Sequence, residues 1–269
     1  MTSALPRREI GASGVLVSPL GLGTVKLGRS EGVKYPVAFA IPGDREAALL
    51  LATAQELGIN LIDTAPAYGN SEQRLGTLLR GQRSQWVICT KVGEEFEGGR
   101  SRFDFSPEHI RFSVERSLRR LQTDHIDLVL VHSDGNDTEI IERHGALAAL
   151  AQLKQAGKIR AFGMSTKTVE GGLLAARSAD CVMLTHNLEY RAEEAVLDYC
   201  AAHGTGTLIK KALASGHLSA GFDDPVLAAM RFIFAHPGVT AAVLGTINVD
   251  HLRHNVAACR QALAELQRS

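Results

Sequence analysis

The stretch GINLIDTAPAYGNSEQRLG, residues 58–76, begins as a buried strand, with Ile59, Leu61 and Ile62 supplying the apolar content. It then places Asp63 directly after them, and Tyr68 five residues on, between Pro66 and Gly69. A carboxylate ending an apolar strand is costly to bury unless a partner compensates it. The question is whether other strands end in the same way, and seven more apolar runs answer it: LGLGTVKL (20–27), WVICTKV (86–92), IDLVLVHS (126–133), IRAFGMS (159–165), CVMLTHN (181–187), TGTLIKKAL (205–213) and TAAVLGT (240–246). Each is followed by a stretch patterned as helix.

Helix-start signals support this division. Ser106-Pro107-Glu108 gives an N-cap, a proline at the first helical position and an early acid before HIRFSVERSLRRL, and Asn248 opens VDHLRHNVAACRQALAEL in the same manner. Eight strand–helix units without a proline-rich linker or a shift in composition predict a single (β/α)8 TIM barrel over residues 1–269, one catalytic domain. The segment REIGASGVLVSPL, residues 8–20, reads as an N-terminal β-hairpin closing the bottom. A doubly wound open sheet is the alternative, but it calls for a GxGxxG turn after its first strand, and GLGTVKLG has the wrong glycine spacing.

Composition narrows the class of function. With 45% hydrophobic and 22% charged residues and a formal net charge of zero, the chain lacks the basic excess of a nucleic-acid or membrane-surface binder. No segment approaches a membrane span, and MTSALPRREIGASG lacks the apolar run of a signal peptide. Cys89, Cys181, Cys200 and Cys259 lie far apart, which suggests neither a metal site nor a disulfide framework. These features predict a cytoplasmic protein acting on a small molecule, with neither nucleic acid nor membrane as partner and with the oligomeric state left open.

Side chains alternate along a strand, so the inward face can be followed to its C-terminal end. The traces run Leu61, Asp63; Cys89, Lys91; Leu130, His132; Gly163, Ser165; Met183, Thr185, Asn187; and Leu208, Lys210. In this architecture the C-terminal rim is where active sites are built. Lys91, from the neighbouring strand, is placed to neutralise Asp63. An ammonium close to a phenol favours the phenolate, so Lys91 is expected to lower the pKa of Tyr68 from its ordinary value near 10 and make it a usable general acid. His132 can either orient a substrate carbonyl or share the proton transfer. Taken singly, a rim lysine is more often solvated and a lone histidine more often a satisfied core group. Four ionisable types meeting at three strand ends and one adjoining loop favour function.

GINLIDTAPAYGNSEQRLG, ICTKVG, LVLVHSD, AFGMST and VLGTINVDHLRHN together resemble the aldo-keto reductase family, from about residue 8 to residue 260. The resemblance implies an NAD(P)-dependent oxidoreductase whose catalytic tetrad falls on Asp63, Tyr68, Lys91 and His132. It implies hydride transfer from the nicotinamide while the tyrosine protonates the carbonyl oxygen, reducing an aldehyde or ketone, or the reverse oxidation of a sugar-like alcohol. It also implies that Ser165 and Asn187 hold the nicotinamide carboxamide, with Thr166 where many members have asparagine. Lys210 replaces an aromatic residue that stacks on the nicotinamide in many members. It is either a contact for a phosphate or carboxylate or a solvated rim lysine.

Gly245 and Thr246 end the eighth strand and Asn248 opens a helix, an arrangement suited to a phosphate. The resemblance extends this site to His251 and Asn255 along the adenosine 2′-phosphate and adenine. NADP(H) is favoured; NAD(H) is the alternative, since His251 stands where many NADPH-specific members carry arginine and an imidazole discriminates the two less than a guanidinium. The segment GHLSAGFDD after the seventh strand is short for a cofactor clasp, and GRSEGVKYPVAFAIPG after the first is long enough to overhang the rim, with Tyr35 and Phe39 as pocket walls or loop packing. Two rival classes remain: a nicotinamide-binding sensor with little turnover, and a lysine Schiff-base enzyme using Lys91 or Lys210.

Overall fold

The computed structural model of the chain describes residues 5–33, 35–216 and 221–268. The strands are β1 (Arg8–Glu9), β2 (Leu16–Val17), β3 (Leu20–Gly23), β4 (Leu61–Asp63), β5 (Val87–Val92), β6 (Glu94–Glu97), β7 (Arg100–Phe103), β8 (Ile126–His132), β9 (Ile159–Ser165), β10 (Cys181–Thr185), β11 (Gly206–Lys210) and β12 (Ala241–Leu244). The helices are α1 (Val25–Gly28), α2 (Asp44–Glu56), α3 (Ser71–Leu78), α4 (Pro107–Leu121), α5 (Asp137–Glu142), α6 (Ala146–Gln155), α7 (Val169–Ala176), α8 (Glu194–His203), α9 (Pro225–Ala235) and α10 (Val249–Leu266).

Eight of these strands close into a parallel barrel in the order β3, β4, β5, β8, β9, β10, β11, β12 and back to β3. The alternation of side chains explains the closure. Leu61, Cys89, Leu128, Leu130, Met183 and Leu208 fill the interior as one cluster, while Ile62, Ile88, Val129, Val131, Val182 and Ile209 face outward into a second cluster with the helices. Both faces of the barrel strands are thereby largely buried, as parallel sheets require. The hairpin β1–β2 places Ile10, Val15 and Val17 in the inner cluster with Val87, Cys181 and Ala241, the first residues of β5, β10 and β12. It closes the N-terminal end and leaves the C-terminal end open. No helix among the described residues is long and apolar enough to cross a membrane.

Two expectations about the strands need correcting. The first barrel strand stops at Gly23, not Leu27, because Thr24 turns the chain by donating both its backbone N–H and its hydroxyl to the carbonyl of Asp63, each at 2.9 Å. Val25–Gly28 then forms a single helical turn. After β5 the chain builds the antiparallel hairpin β6–β7 before any helix. Gly98 and Gly99, with φ of +57° and +78°, form its two-residue turn, which only residues tolerant of positive φ make readily. Both anticipated caps are present: Ser106 Oγ accepts from the N–H of His109, and Asn248 Oδ1 accepts from those of Asp250 and His251.

Candidate active site

The open end of the barrel holds a cavity of about 700 Å3. Asp63 ends β4, and on the adjacent β5 Lys91 Nζ donates to its Oδ1 at 2.6 Å and to the Thr64 carbonyl at 3.0 Å. Burial pushes the lysine towards neutrality, but the Asp63 carboxylate overcomes this and holds its pKa above the usual lysine range. Lys91 is therefore a fixed cation and a poor nucleophile, contrary to its Schiff-base reading.

Tyr68 lies on the loop after β4, with the Lys91 ammonium 4.9 Å from its ring centroid. Two glycines fix this loop against α1. A Cβ on Gly28 would lie 2.3 Å from the Tyr68 carbonyl oxygen, and one on Gly69, whose φ is +62°, would lie 2.1 Å from that of Gly28. Only glycine permits so close an approach at both positions. The expected acidification of the phenol does not hold. Burial raises the Tyr68 pKa more than Lys91 lowers it, to about 12, with Asp63 adding to the rise.

His132, at the end of β8, faces Tyr68 edge-on with ring centroids 6.3 Å apart. Its Nδ1 is 2.6 Å from a carboxylate oxygen of Glu94 on β6, an ion-pair approach rather than a well-aligned hydrogen bond. Burial lowers the His132 pKa, and Glu94 opposes that. Burial raises the Glu94 pKa, but His132, with Ser101 and Arg29 behind it, brings it down to about 2. Sequence alone does not single out Glu94, because the stretch after the third barrel strand is patterned as a helical connection. The Gly98-Gly99 pair was the available signal.

Ser165, Lys210, Gly245, Thr246, His251 and Asn255 also line the cavity, together with the four residues above. Lys210 Nζ donates to Ser165 Oγ at 3.1 Å and to the Thr166 carbonyl. Burial brings its pKa down to about 8, against the opposing pull of Glu193. The reading of Lys210 as a solvated rim lysine is thereby replaced by that of a part-buried, hydrogen-bonded one.

Three of the singled-out residues lie off the cavity. Asn187 spends its amide on the loops, with Nδ2 donating to the Lys211 carbonyl at 2.9 Å and Oδ1 accepting from the Glu189 N–H at 3.0 Å. Following the inward trace past β10 by two residues put it in the wrong place, and Met183 lines the cavity instead. Thr166 is buried with its hydroxyl unpartnered, and Asn248 uses its side chain to cap α10.

Tyr35 lines the cavity from the β3–α2 connection. Its hydroxyl lies where a Cβ on Gly245 would come within 2.8 Å, so the connection does overhang the rim. Lys26 Nζ sits 3.9 Å over the Tyr35 ring, and Phe39 packs edge-on behind it as loop packing rather than wall. Of GHLSAGFDD, residues 217–220 lie outside the described residues.

The residues suit an anionic dinucleotide. Among the described lining residues Asp63 is the one carboxylate, already paired with Lys91, whereas Lys26, Lys210 and Lys211 add positive charge. The cavity also runs from the Tyr68–His132 wall to the N-terminal turn of α10, where a helix dipole favours negative charge.

Comparison with known proteins agrees with this chemistry. The Aldo/keto reductase family model matches residues 19–225, and the chain belongs to that family. It is an NAD(P)-dependent oxidoreductase. A solved aldo-keto reductase from Pseudomonas aeruginosa is 59% identical, with a TM-score of 0.88 and 96% of each chain covered. An uncharacterized oxidoreductase of Bacillus subtilis is 27% identical over 94% of this chain and 90% of its own. The NADH-specific methylglyoxal reductase of Escherichia coli is 31% identical over 78% of this chain and 68% of its own.

Proposed function

We propose that the protein reduces an aldehyde or ketone to the alcohol, with Tyr68 as the proton donor, and that it runs the reverse oxidation on a sugar-like alcohol when the cofactor ratio favours it. The observation that carries this reading is the Asp63–Lys91 pair, which holds a cation 4.9 Å from the ring of Tyr68, with the His132 ring 6.3 Å from the same phenol.

The bound nicotinamide supplies the hydride. The phenol hydrogen of Tyr68 moves to the carbonyl oxygen as negative charge develops there, and the Lys91 ammonium stabilises the phenolate left behind. The phenol holds its proton at neutral pH, and the Lys91 ammonium offsets part of the weakening that burial imposes on it as an acid. His132 orients the carbonyl. Ser165 and Lys210 would contact the nicotinamide end of the cofactor, and Thr246, His251 and Asn255 its adenosine end. NADP(H) is the favoured cofactor and NAD(H) the alternative: the excess positive charge of the cavity suits an additional phosphate, whereas His251 discriminates less sharply between the two than an arginine would.

The test is a panel of aldehydes, ketones and sugar alcohols assayed with NADPH and with NADH, repeated on Tyr68→Phe. Turnover should fall by at least about a hundredfold while cofactor affinity stays within about twofold. Undiminished turnover in Tyr68→Phe would remove the phenol from its role. Cofactor binding without turnover of any substrate would favour the sensor.

A further inference from the structure

We propose that Glu94 is a positioning residue for His132: its carboxylate engages Nδ1 and so leaves Nε2 as the nitrogen presented to the substrate oxygen. This rests on the proposed role of His132, but the contact itself does not. Nδ1 is sealed from solvent with the Glu94 carboxylate at 2.6 Å, while the remaining exposure of the side chain, 21%, belongs to a residue lining the cavity.

Glu94 is itself held in place. Ser101 on the facing strand donates its hydroxyl to one carboxylate oxygen at 2.5 Å, so the other is free to meet the imidazole. Arg29 ties the hairpin to the catalytic loop: its guanidinium carbon lies 3.3 Å from the centroid of the Phe96 ring, and its Nη1 donates to the Ala67 carbonyl at 3.0 Å, one residue before Tyr68. The hairpin thus fixes the imidazole and the phenol relative to each other.

The chemistry follows from the two nitrogens of the ring. An ionised carboxylate beside Nδ1 keeps a proton on that nitrogen. In the neutral ring Nε2 is then an acceptor, suited to an alcohol O–H. In the imidazolium it is a donor, suited to a carbonyl oxygen. The charged groups around the ring are Glu94 from β6, which favours the imidazolium, and Lys91 from β5 and Lys210 from β11, which oppose it. Tyr68 lies across the ring, and Asp63 is taken up by Lys91. With two cations against it, the donor form depends on Glu94.

The experiment is a heteronuclear NMR titration of the histidine ring nitrogens, on protein without cofactor or substrate, with His132 assigned by the signal lost in His132→Gln. In Glu94→Gln the His132 titration should move to lower pH, and the Nδ1–H tautomer should lose its dominance. Ser101→Ala, which keeps the charge but removes one anchor of the carboxylate, should move both in the same direction and by clearly less. Glu94→Asp, a second variant should the amide fold poorly, should retain the charge effect in part. In turnover, Glu94→Gln should lower kcat/KM about tenfold and shift the acid limb of its pH profile. In a His132→Gln background the same change should have no further effect. An unmoved His132 titration in Glu94→Gln, or an equal shift in Ser101→Ala, overturns the assignment. The titration needs no turnover, so its failure is separable from failure of the proposed reaction.

Discussion

Lys91 and Asp63 meet at 2.6 Å from adjacent strands, with side-chain exposures of 2% and 6%. A pair so thoroughly desolvated contributes little net stability, because removing both ions from water offsets most of their attraction. Its consequence is positional. The strand register pairs Asp63 with Cys89, two residues before Lys91, so the ammonium must reach back across the strand end and arrives beside Tyr68.

Breaking this pair from one side should cost far more than removing it whole. Asp63→Asn leaves a buried ammonium without a counter-charge and is expected to destabilise the fold by about 3 kcal/mol in urea unfolding. Asp63→Leu combined with Lys91→Met should recover most of that loss while remaining inactive. If the double variant were no more stable than Asp63→Asn, the pair would be a stabilising element and not a positional one.

Lys210 gives a pH-dependent signature of opposite sense to a surface lysine. Its folded pKa, about 8, lies below its ordinary value of 10.5. The folded state therefore binds fewer protons than the unfolded state between those values, and stability rises with pH across the window. Below pH 8 the cost of burying the charge is present in full. Lys210→Met should accordingly raise the melting temperature most below pH 8, with the gain shrinking as pH climbs towards 10.5. A gain independent of pH across that range would contradict the burial argument.

What the sequence disclosed and what it hid divide along physical lines. The barrel was legible because period-2 burial on both faces leaves a strong mark, as in Leu61 facing in and Ile62 facing out. Asp63, Lys91 and His132 were legible because polar residues are conspicuous at the ends of apolar strands, and Tyr68 because it follows Asp63 by five residues between Pro66 and Gly69. Glu94 was not, since a glutamate in a charged stretch such as GEEFEGGR carries no mark of burial, and its partner is nearly forty residues away. Asn187 misled because alternation was followed beyond the point where β10 ends at Thr185. The Tyr68 pKa went the other way because charge proximity is readable from residue types, whereas desolvation requires the packed fold.

The glycine contact behind Tyr68 predicts an effect that chemistry alone would miss. Gly69→Ala adds a Cβ 2.1 Å from the Gly28 carbonyl oxygen at a φ of +62°, so the loop must move. A destabilisation of about 2 kcal/mol is expected, from backbone strain and the clash together. Turnover should fall by about tenfold or more as the phenol is displaced, since even a shift of about 1 Å can cost a hundredfold. Crystallography of the variant would show whether Tyr68 has moved. Reduced turnover with the ring in place would assign the loss to another cause.

On the proposed reading, cofactor choice is sensitive to the exposed side chain of His251, at the cavity edge in the first turn of α10. Its backbone N–H is already committed to Asn248 Oδ1 at 3.0 Å, so only the side chain is free to discriminate. An imidazole offers a phosphate at most one hydrogen bond from a given face, whereas a guanidinium offers a paired set of donors and a permanent charge. His251→Arg should therefore tighten NADPH by about tenfold and leave NADH almost unchanged, as read from titration of nicotinamide fluorescence. Raising the salt concentration should erode the NADPH gain, because the added contact is electrostatic and solvent-exposed. If both cofactors tightened equally, His251 would face the pyrophosphate common to them, and the 2′-phosphate would have to be read by a different residue.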